Sequence, residues 1–331
     1  NLAGGAYDDS ARYRISRLPI EAIATSSGQN DSGLFELNFR DERYLPFASL
    51  TKRRPELDRL VFNKHMRARL GHLGLEDITT EQLDSWVLDQ IAKGYKPGTI
   101  NKHINYLHRI LNVARSWGML TASRERVRVS RRIPMGDHRQ TFLAETEIHR
   151  MLESCRKENH PYLDLFIHLL IATGARSSEA RLARWCDFDM QRMIWTVPLS
   201  KSGRARRIVL SSAAAKVLEQ IKERSLSLEL PVRADCHLFI NPRLKQPYKS
   251  FHLAWDRARR RLGMETVRIH DLRHTYASLL INRGASIYEV QKLLGHHHIS
   301  MTERYAHLLP DTLHQRVEIV ARLLDSGSNH Q

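Results

Sequence analysis

Cysteine is scarce. The 331 residues contain three, at 155, 186 and 236, an odd number with no CxxC spacing. That excludes a disulfide framework and a zinc knuckle, and it leads us to expect a reducing, cytoplasmic setting. Long apolar runs are lacking too. The longest, Leu163 to Thr173, is interrupted by Asp164 and His168 and falls short of the roughly 20 residues a membrane span requires, so no transmembrane helix is expected. No basic stretch followed by an apolar core opens the chain, and no secretory leader is expected. Acidic residues are in deficit, with 36 Asp+Glu against 52 Lys+Arg, a formal charge of +16 and a pI near 10.1. An acidic solvating protein is thereby excluded. What is present is ordinary for a globular chain: 42% hydrophobic and 27% charged residues, long enough for two or three domains with real cores.

The basic surplus is uneven. The first fifty residues hold five Arg and no Lys against seven acidic side chains, so the surplus lies entirely in the rest of the chain. Rich in Arg, it suits a polyanionic partner, because the planar guanidinium grips phosphate oxygens in pairs. The plainer reading is a basic protein whose charges only oppose aggregation. Net charge speaks to partners and not to fold, and leaves both open.

Punctuation divides the chain into an extension, a helical module, a linker and a mixed region. In residues 1–50, an extension of unknown role, Leu34-Phe35-Glu36-Leu37-Asn38-Phe39 partly alternates, Arg40-Asp41-Glu42-Arg43 suits a turn, and Tyr44-Leu45-Pro46-Phe47 follows. A short hairpin, or a poorly ordered segment, is the expectation. Residues 52–122 read as a helical module. Thr79 and Gln82 fit a capping box ahead of Leu83, Trp86, Val87 and Ile91, and Gly94 ends that helix. Pro97-Gly98-Thr99 opens a second helix whose apolar stripe is Ile100, Ile104, Leu107, Leu111 and Ala114, closed by Gly118. Its other face carries Lys102, His103, Arg109 and Arg115, which is either a phosphate-facing surface or a solvated one. Residues 123–140 contain Arg124, Arg126, Arg128, Arg131, Arg132 and Arg139 around Pro134 and Gly136, and read as a basic linker. Lys102, His103, Arg109, Arg131 and Arg132 are the candidate nucleic-acid contacts.

Residues 141–325 are mixed, so the fold class expected is mainly α with a small β-sheet. Leu163, Phe166, Ile167, Leu170 and Ile171 form a helical stripe stopped by Gly174. Ser177 then opens a helix through Glu179, Leu182 and Trp185, which sets Arg176 at an interhelical elbow. Met193–Val197 and Arg207–Leu210 are strand-like on either side of Ser200-Lys201-Ser202-Gly203-Arg204, placing Lys201 at or near a hairpin tip. In His270-Asp271-Leu272-Arg273-His274, His270 and Arg273 are three apart and project from one helix face. A helix bearing Ile287, Val290, Leu293 and Leu294 ends at Gly295, with His296 just beyond. Ser300 and Glu303 suggest another capping box, which would put Tyr305 in the second turn of a short helix with Met301 and Leu308. Taken singly, each of these residues reads as structural: a histidine in a basic helix, a tyrosine on an apolar stripe. His296-His297-His298 is not expected to hold a metal, since neighbouring residues do not aim three imidazoles at one ion. After Pro310, Leu313, Val317, Val320, Leu323 and Leu324 read as an amphipathic helix.

Taken together the segments say more. Thr173-Gly174-Ala175-Arg176-Ser177-Ser178-Glu179, then Lys201, then His270-Asp271-Leu272-Arg273-His274, then Leu294-Gly295-His296 with Tyr305 nine residues on, resemble the tyrosine recombinase (phage integrase) family in order and spacing over about residues 52–320. The resemblance implies a helical core-binding domain at 52–122 and a mixed α/β catalytic domain at 141–325. It implies that Arg176 and Arg273 bind phosphate, that Lys201, His270 and His296 complete the set around nucleophile Tyr305, and that Glu179 supports Arg176. The implied activity is site-specific cleavage and rejoining of double-stranded DNA through a 3′-phosphotyrosyl link, with no cofactor and no metal. A monomer or weak dimer in solution would become a homotetramer on synapsed sites, with the C-terminal helix docking on a neighbouring protomer. Residues 29–47 resemble part of the large A subunit of insecticidal toxin complexes, not the arm-binding domain with which integrases often begin.

The physics is consistent with those roles. An ordinary phenol titrates about three units above neutrality, so forming phenolate costs about 4 kcal/mol. Guanidinium and imidazole groups fixed around a phosphodiester stabilise the charge that develops on its oxygens. The departing alkoxide needs a proton, for which Lys201 is a candidate donor, and His270 is a candidate acceptor of the tyrosyl proton. The phosphotyrosyl ester conserves the bond energy, so the step reverses without ATP. Two rival readings are a type IB topoisomerase, which relaxes strands without exchanging them, and a catalytically silent DNA-binding regulator of the same fold.

Overall fold

The computed structural model describes residues 43–52, 54–75, 77–120, 132–134, 141–198, 205–296, 298–303 and 305–306. The hairpin's expected first strand, Arg131, Lys201 with its turn, Leu308 and the helix expected after Pro310 lie outside the described residues. The chain divides into two compact units, one ending at His138 and the other starting at Arg139.

The first unit is helical. Its described elements are α1 (Leu45–Thr51), α2 (Glu56–His65), α3 (Arg67–Leu70), α4 (Thr80–Ala92) and α5 (Pro97–Ser116). The segment 44–47, expected as a strand, is instead the start of α1. Pro46 sits in the first turn, where its fixed φ suits a helix and its missing N–H costs nothing. Leu45 and Ala48, one turn apart, are buried in the same core as Phe62, Trp86, Ile104 and Leu107. Tyr44 donates to Asp58 Oδ2 at 2.6 Å and Lys52 pairs with the same carboxylate, so this end of the extension is fastened by polar as well as apolar contacts.

The α4 capping box forms as the sequence suggests: Thr79 Oγ1 accepts from the Gln82 N–H at 3.3 Å and Gln82 Oε1 from the Thr79 N–H at 2.9 Å. The buried stripe of α4 runs through Leu83, Trp86, Val87 and Gln90, not Ile91, which is exposed. A 3.6-residue period carries the inward face to position 90, and the longer step to 91 turns outward. The α5 stripe is buried as expected.

The second unit places its three-stranded antiparallel sheet beside the helices. Its elements are α6 (Glu145–Arg156), α7 (Leu163–Thr173), α8 (Ser177–Arg181), a 3-10 turn at Trp185–Asp187, β1 (Phe188–Asp189), β2 (Ile194–Val197), β3 (Arg206–Val209), α9 (Ser212–Ser227), α10 (His252–Arg260), α11 (Asp271–Asn282), α12 (Ile287–Leu294) and α13 (Ser300–Glu303). Strand order is β1-β2-β3, with Trp195 opposite Phe188 on one side and Ile208 on the other. Trp195 and Ile208 are buried with Phe166, Leu170, Phe239 and Trp255 in the main core. The apolar helix α7 runs through that core: seven of its eleven residues are buried and the other four are half-buried, as expected of a helix covered on most sides. A smaller cluster of Ala277, Ile281, Val290, Leu294 and Tyr305 joins α11, α12 and the segment after α13.

Candidate active site

Two helix ends build the cationic floor of the site. α7 and α12 each stop on a glycine in the left-handed region, Gly174 at φ 61° and Gly295 at φ 63°. Such ends leave carbonyls without intrahelical partners, and the partial negative charge there favours cations. Arg273 uses both: its Nη1 donates to the Gly174 carbonyl and its Nη2 to the Leu294 carbonyl, each at 2.6 Å. Glycine is required at both turns for space as well as φ. A Cβ on Gly174 would lie 2.4 Å from Tyr276 Cδ1, and one on Gly295 2.9 Å from Arg206 Cδ.

Arg206, the first residue of β3, was not singled out by the sequence. Its Nη1 donates to the same Leu294 carbonyl at 2.8 Å, and its Nε and Nη2 grip Glu179 at 3.3 and 2.6 Å. Glu179 in turn accepts from Arg176 Nη1 at 2.7 Å and from the Arg176 backbone N–H at 2.9 Å, closing the first turn of α8. The three guanidiniums and one carboxylate therefore form a continuous network with a surplus of positive charge. Burial alone would raise the Glu179 carboxyl, but Arg206 and Arg176 together hold it below the usual carboxylate range. Burial, with repulsion from Arg206 and Arg176, pushes Arg273 down to about 9, which still leaves it charged at neutral pH. Arg176 Nε and Nη2 and Arg273 Nε have no acceptor among the described residues, so the network retains donors for an anion.

His270 sits at the N-cap of α11, one turn before Arg273, and the sequence expectation of a shared face holds. Partial burial and the charge of Arg273 lower its pKa from the ordinary imidazole value. His296 follows Gly295 and its Nδ1 lies 2.9 Å from Thr302 Oγ1. Tyr305 does not sit in the second turn of a helix: α13 ends at Glu303, and Tyr305 follows in a turn, its N–H donating to the Thr302 carbonyl at 2.9 Å. Its ring is 5% accessible in the small cluster, and its hydroxyl hydrogen-bonds His274 Nδ1. His274 is a second residue the sequence reading did not assign, although it lies four positions after His270 and shares its face, with the two rings edge-on at 5.3 Å. The structure thus draws together Arg176, Glu179, Arg273 and His270, with His296 and Tyr305 on the chain leaving Leu294.

In the helical unit, Lys102 and Arg109 are exposed as expected. Arg132 is exposed as well and donates to Asn105 Oδ1 at 2.8 Å. His103 is not a surface contact. It is buried, stacked on His65 at 4.0 Å and paired with Gln90 Oε1 at 3.2 Å, and burial lowers its pKa to about 4. At 3.6 residues per turn it follows the stripe that begins at Ile100 and faces inward with Ile104.

Comparison with known proteins agrees with this architecture. Residues 141–311 match the phage integrase family, over half the chain. The chain belongs to that family. Residues 3–50 match a second family, the Tc toxin complex TcA C-terminal TcB-binding domain. Among curated relatives, the integrase of Salmonella phage P22 is 30% identical over 232 residues, covering 68% of this chain and 56% of its own length. A shufflon-specific DNA recombinase of Escherichia coli is 25% identical over 276 residues, covering 81% and 67%. The chain spans 56% and 62% of the lengths of the integrases of phages P22 and 186. Two solved structures share the fold: the Tn1549 transposon integrase in complex with transposon right-end DNA (TM-score 0.68, 19% identity, 84% of this chain and 98% of that one) and a lambda integrase dimer bound to a COC′ core site (TM-score 0.64, 22% identity, 81% and 94%). No helix among the described residues is long and apolar enough to cross a membrane.

Proposed function

We propose that the chain is a site-specific DNA recombinase that cleaves and rejoins duplex DNA through a 3′-phosphotyrosyl intermediate. The observation that carries this reading is the anchoring of Arg273 and Arg206 on one carbonyl, that of Leu294, from which the chain runs on through His296 to Tyr305. Arg176 and Arg273 hold the non-bridging oxygens of the scissile phosphate, and His270, with His296, donates hydrogen bonds to them. Glu179 and Arg206 fix the angle of Arg176. Tyr305 attacks phosphorus, the bond to the 5′-oxygen breaks, and Lys201 supplies the proton that oxygen needs to leave. Reversal by another 5′-hydroxyl exchanges strands without an external energy source. The helical unit, with Lys102, Arg109, Arg131 and Arg132, contacts the DNA backbone, residues 123–140 link it to the catalytic domain at 141–325, and four copies assemble on two synapsed sites in the cytoplasm.

The test starts from duplexes selected out of a random pool for binding to the full chain, then nicked next to the cleavage position so that the released strand diffuses away. An SDS-resistant protein–DNA adduct is expected, and Tyr305→Phe abolishes it. An adduct that persists in the variant refutes the nucleophile assignment.

A further inference from the structure

The residue touching the nucleophile's oxygen is not the histidine of the expected set. Tyr305 Oη hydrogen-bonds His274 Nδ1, and the ring centroids lie 5.7 Å apart. One stripe of α11 makes this contact: His274 takes the hydroxyl, while Ala277 and Ile281, three and seven positions on, belong to the apolar cluster that holds the tyrosine ring. The ring is therefore seated by packing and the hydroxyl is aimed by geometry. His270 stands edge-on behind His274, and its neighbour Arg273 lies close enough to Tyr305 to feel its charge.

We propose that His274 is the proton acceptor for Tyr305. The inference rests on the strand-cleavage reading above and adds a residue to it. Nδ1 accepts the phenolic O–H only in the tautomer that carries its own proton on Nε2. As the phenolic oxygen forms its bond to phosphorus, its proton passes to Nδ1, and the bond to the 5′-oxygen breaks with a proton arriving from Lys201. His274 is then an imidazolium. In the reverse step the incoming 5′-hydroxyl returns its proton to Lys201, and the departing phenolate takes its own back from His274, so the proton count closes. His270 is left with the phosphate, and the two histidines of one helix turn divide the work: one faces the anion, the other the nucleophile. Arg273 complements the acceptor, since its charge favours the phenolate that His274 creates.

The experiment is single-turnover adduct formation by the full chain on the nicked duplex across a pH series. His274→Asn is the informative variant, because its side-chain oxygen replaces Nδ1 as hydrogen-bond acceptor but takes no proton. Cleavage about 100-fold slower than wild type is expected, with DNA binding unchanged and with the acid limb of the rate profile lost. His274→Ala should be slower still and regain rate with added imidazole, a rescue that a merely structural role does not give. On a substrate with a bridging 5′-sulfur, whose thiolate leaves without a proton, the His274→Asn defect should persist. A defect cured by the sulfur would make His274 the donor to the leaving group and overturn the proposal, as would His274→Asn cleaving within threefold of wild type on an unchanged profile. Adduct formation by Tyr305→Phe would sink the reading beneath the proposal instead, whatever the His274 variants do.

Discussion

Arg206→Ala is the perturbation that most directly tests the guanidinium network. It removes three hydrogen bonds and leaves Glu179, whose side chain is 5% accessible, with Arg176 as its remaining guanidinium partner among the described residues. Stripping one member from a buried ion pair costs about 3–5 kcal/mol, because the other charge stays buried; the retained Arg176 places the expectation near the lower end, at about 3 kcal/mol. For a unit of this size that lowers the melting temperature by about 6–12 °C. Scanning calorimetry of the full chain should show the loss in the transition of the unit that begins at Arg139. The pH dependence gives the argument its sign. In the wild type the Glu179 carboxyl lies below its ordinary range, so its contribution is present above the unfolded pKa and fades as pH falls through the folded one. Without Arg206 the carboxyl titrates higher and takes a proton sooner, which relieves the uncompensated charge. The gap between variant and wild type should therefore narrow from pH 7 toward about pH 4. A shift of less than about 2 °C at pH 7, or a gap of constant size across that range, would refute the network as a stabilising element.

Three further outcomes follow from the geometry. His103 is held neutral by burial, with a pKa near 4; the unfolded chain binds the extra proton first, so stability of the helical unit should fall by about 3 kcal/mol as pH drops from 6.5 to 4, and His103→Gln should flatten that slope in urea titrations. Gly174→Ala and Gly94→Ala both place a side chain at positive φ, costing about 1–2 kcal/mol, but only at Gly174 does the new Cβ meet an aromatic ring. Chemical denaturation should show the Gly174 variant losing at least twice as much as its counterpart. Lys102→Ala should reduce the slope of log affinity for duplex DNA against log salt by about 0.9, the value of one phosphate contact, while His103→Gln leaves it unchanged.

The parts of this architecture set by neighbouring residues were legible in the sequence. Thr79 with Gln82, the glycine stops at 174 and 295, and the inward stripe of α5 all depend on contacts within four or five positions, and each is where the pattern puts it. Sequence and structure part where a short pattern has two periods available. Tyr44-Leu45-Pro46-Phe47 resembles a strand when read alone and becomes a helix when Leu45 and Ala48 find a core to enter. His103 resembles a basic-face residue until the turn of the helix buries it against His65. Arg206 and His274 were invisible for another reason: each acts through a partner 27 and 31 positions away, Glu179 and Tyr305, and spacing within one element carries no trace of such pairings. Family resemblance supplied the candidate residues, and the fold adds partners that it did not name, Arg206 for Glu179 and His274 for Tyr305.

The shared Leu294 carbonyl has a mechanical consequence. Arg206 and Arg273 are both moored on it, one residue before the left-handed turn at Gly295, while Tyr305, the nucleophile of the proposed reaction, follows downstream. In the proposed reaction, the two arginines that brace the phosphate site and the residue that attacks it thus lie on either side of one glycine turn. On that reading, a displacement of this one carbonyl would shift both arginines and the chain that leads to Tyr305, so phosphate binding and attack would be disturbed together.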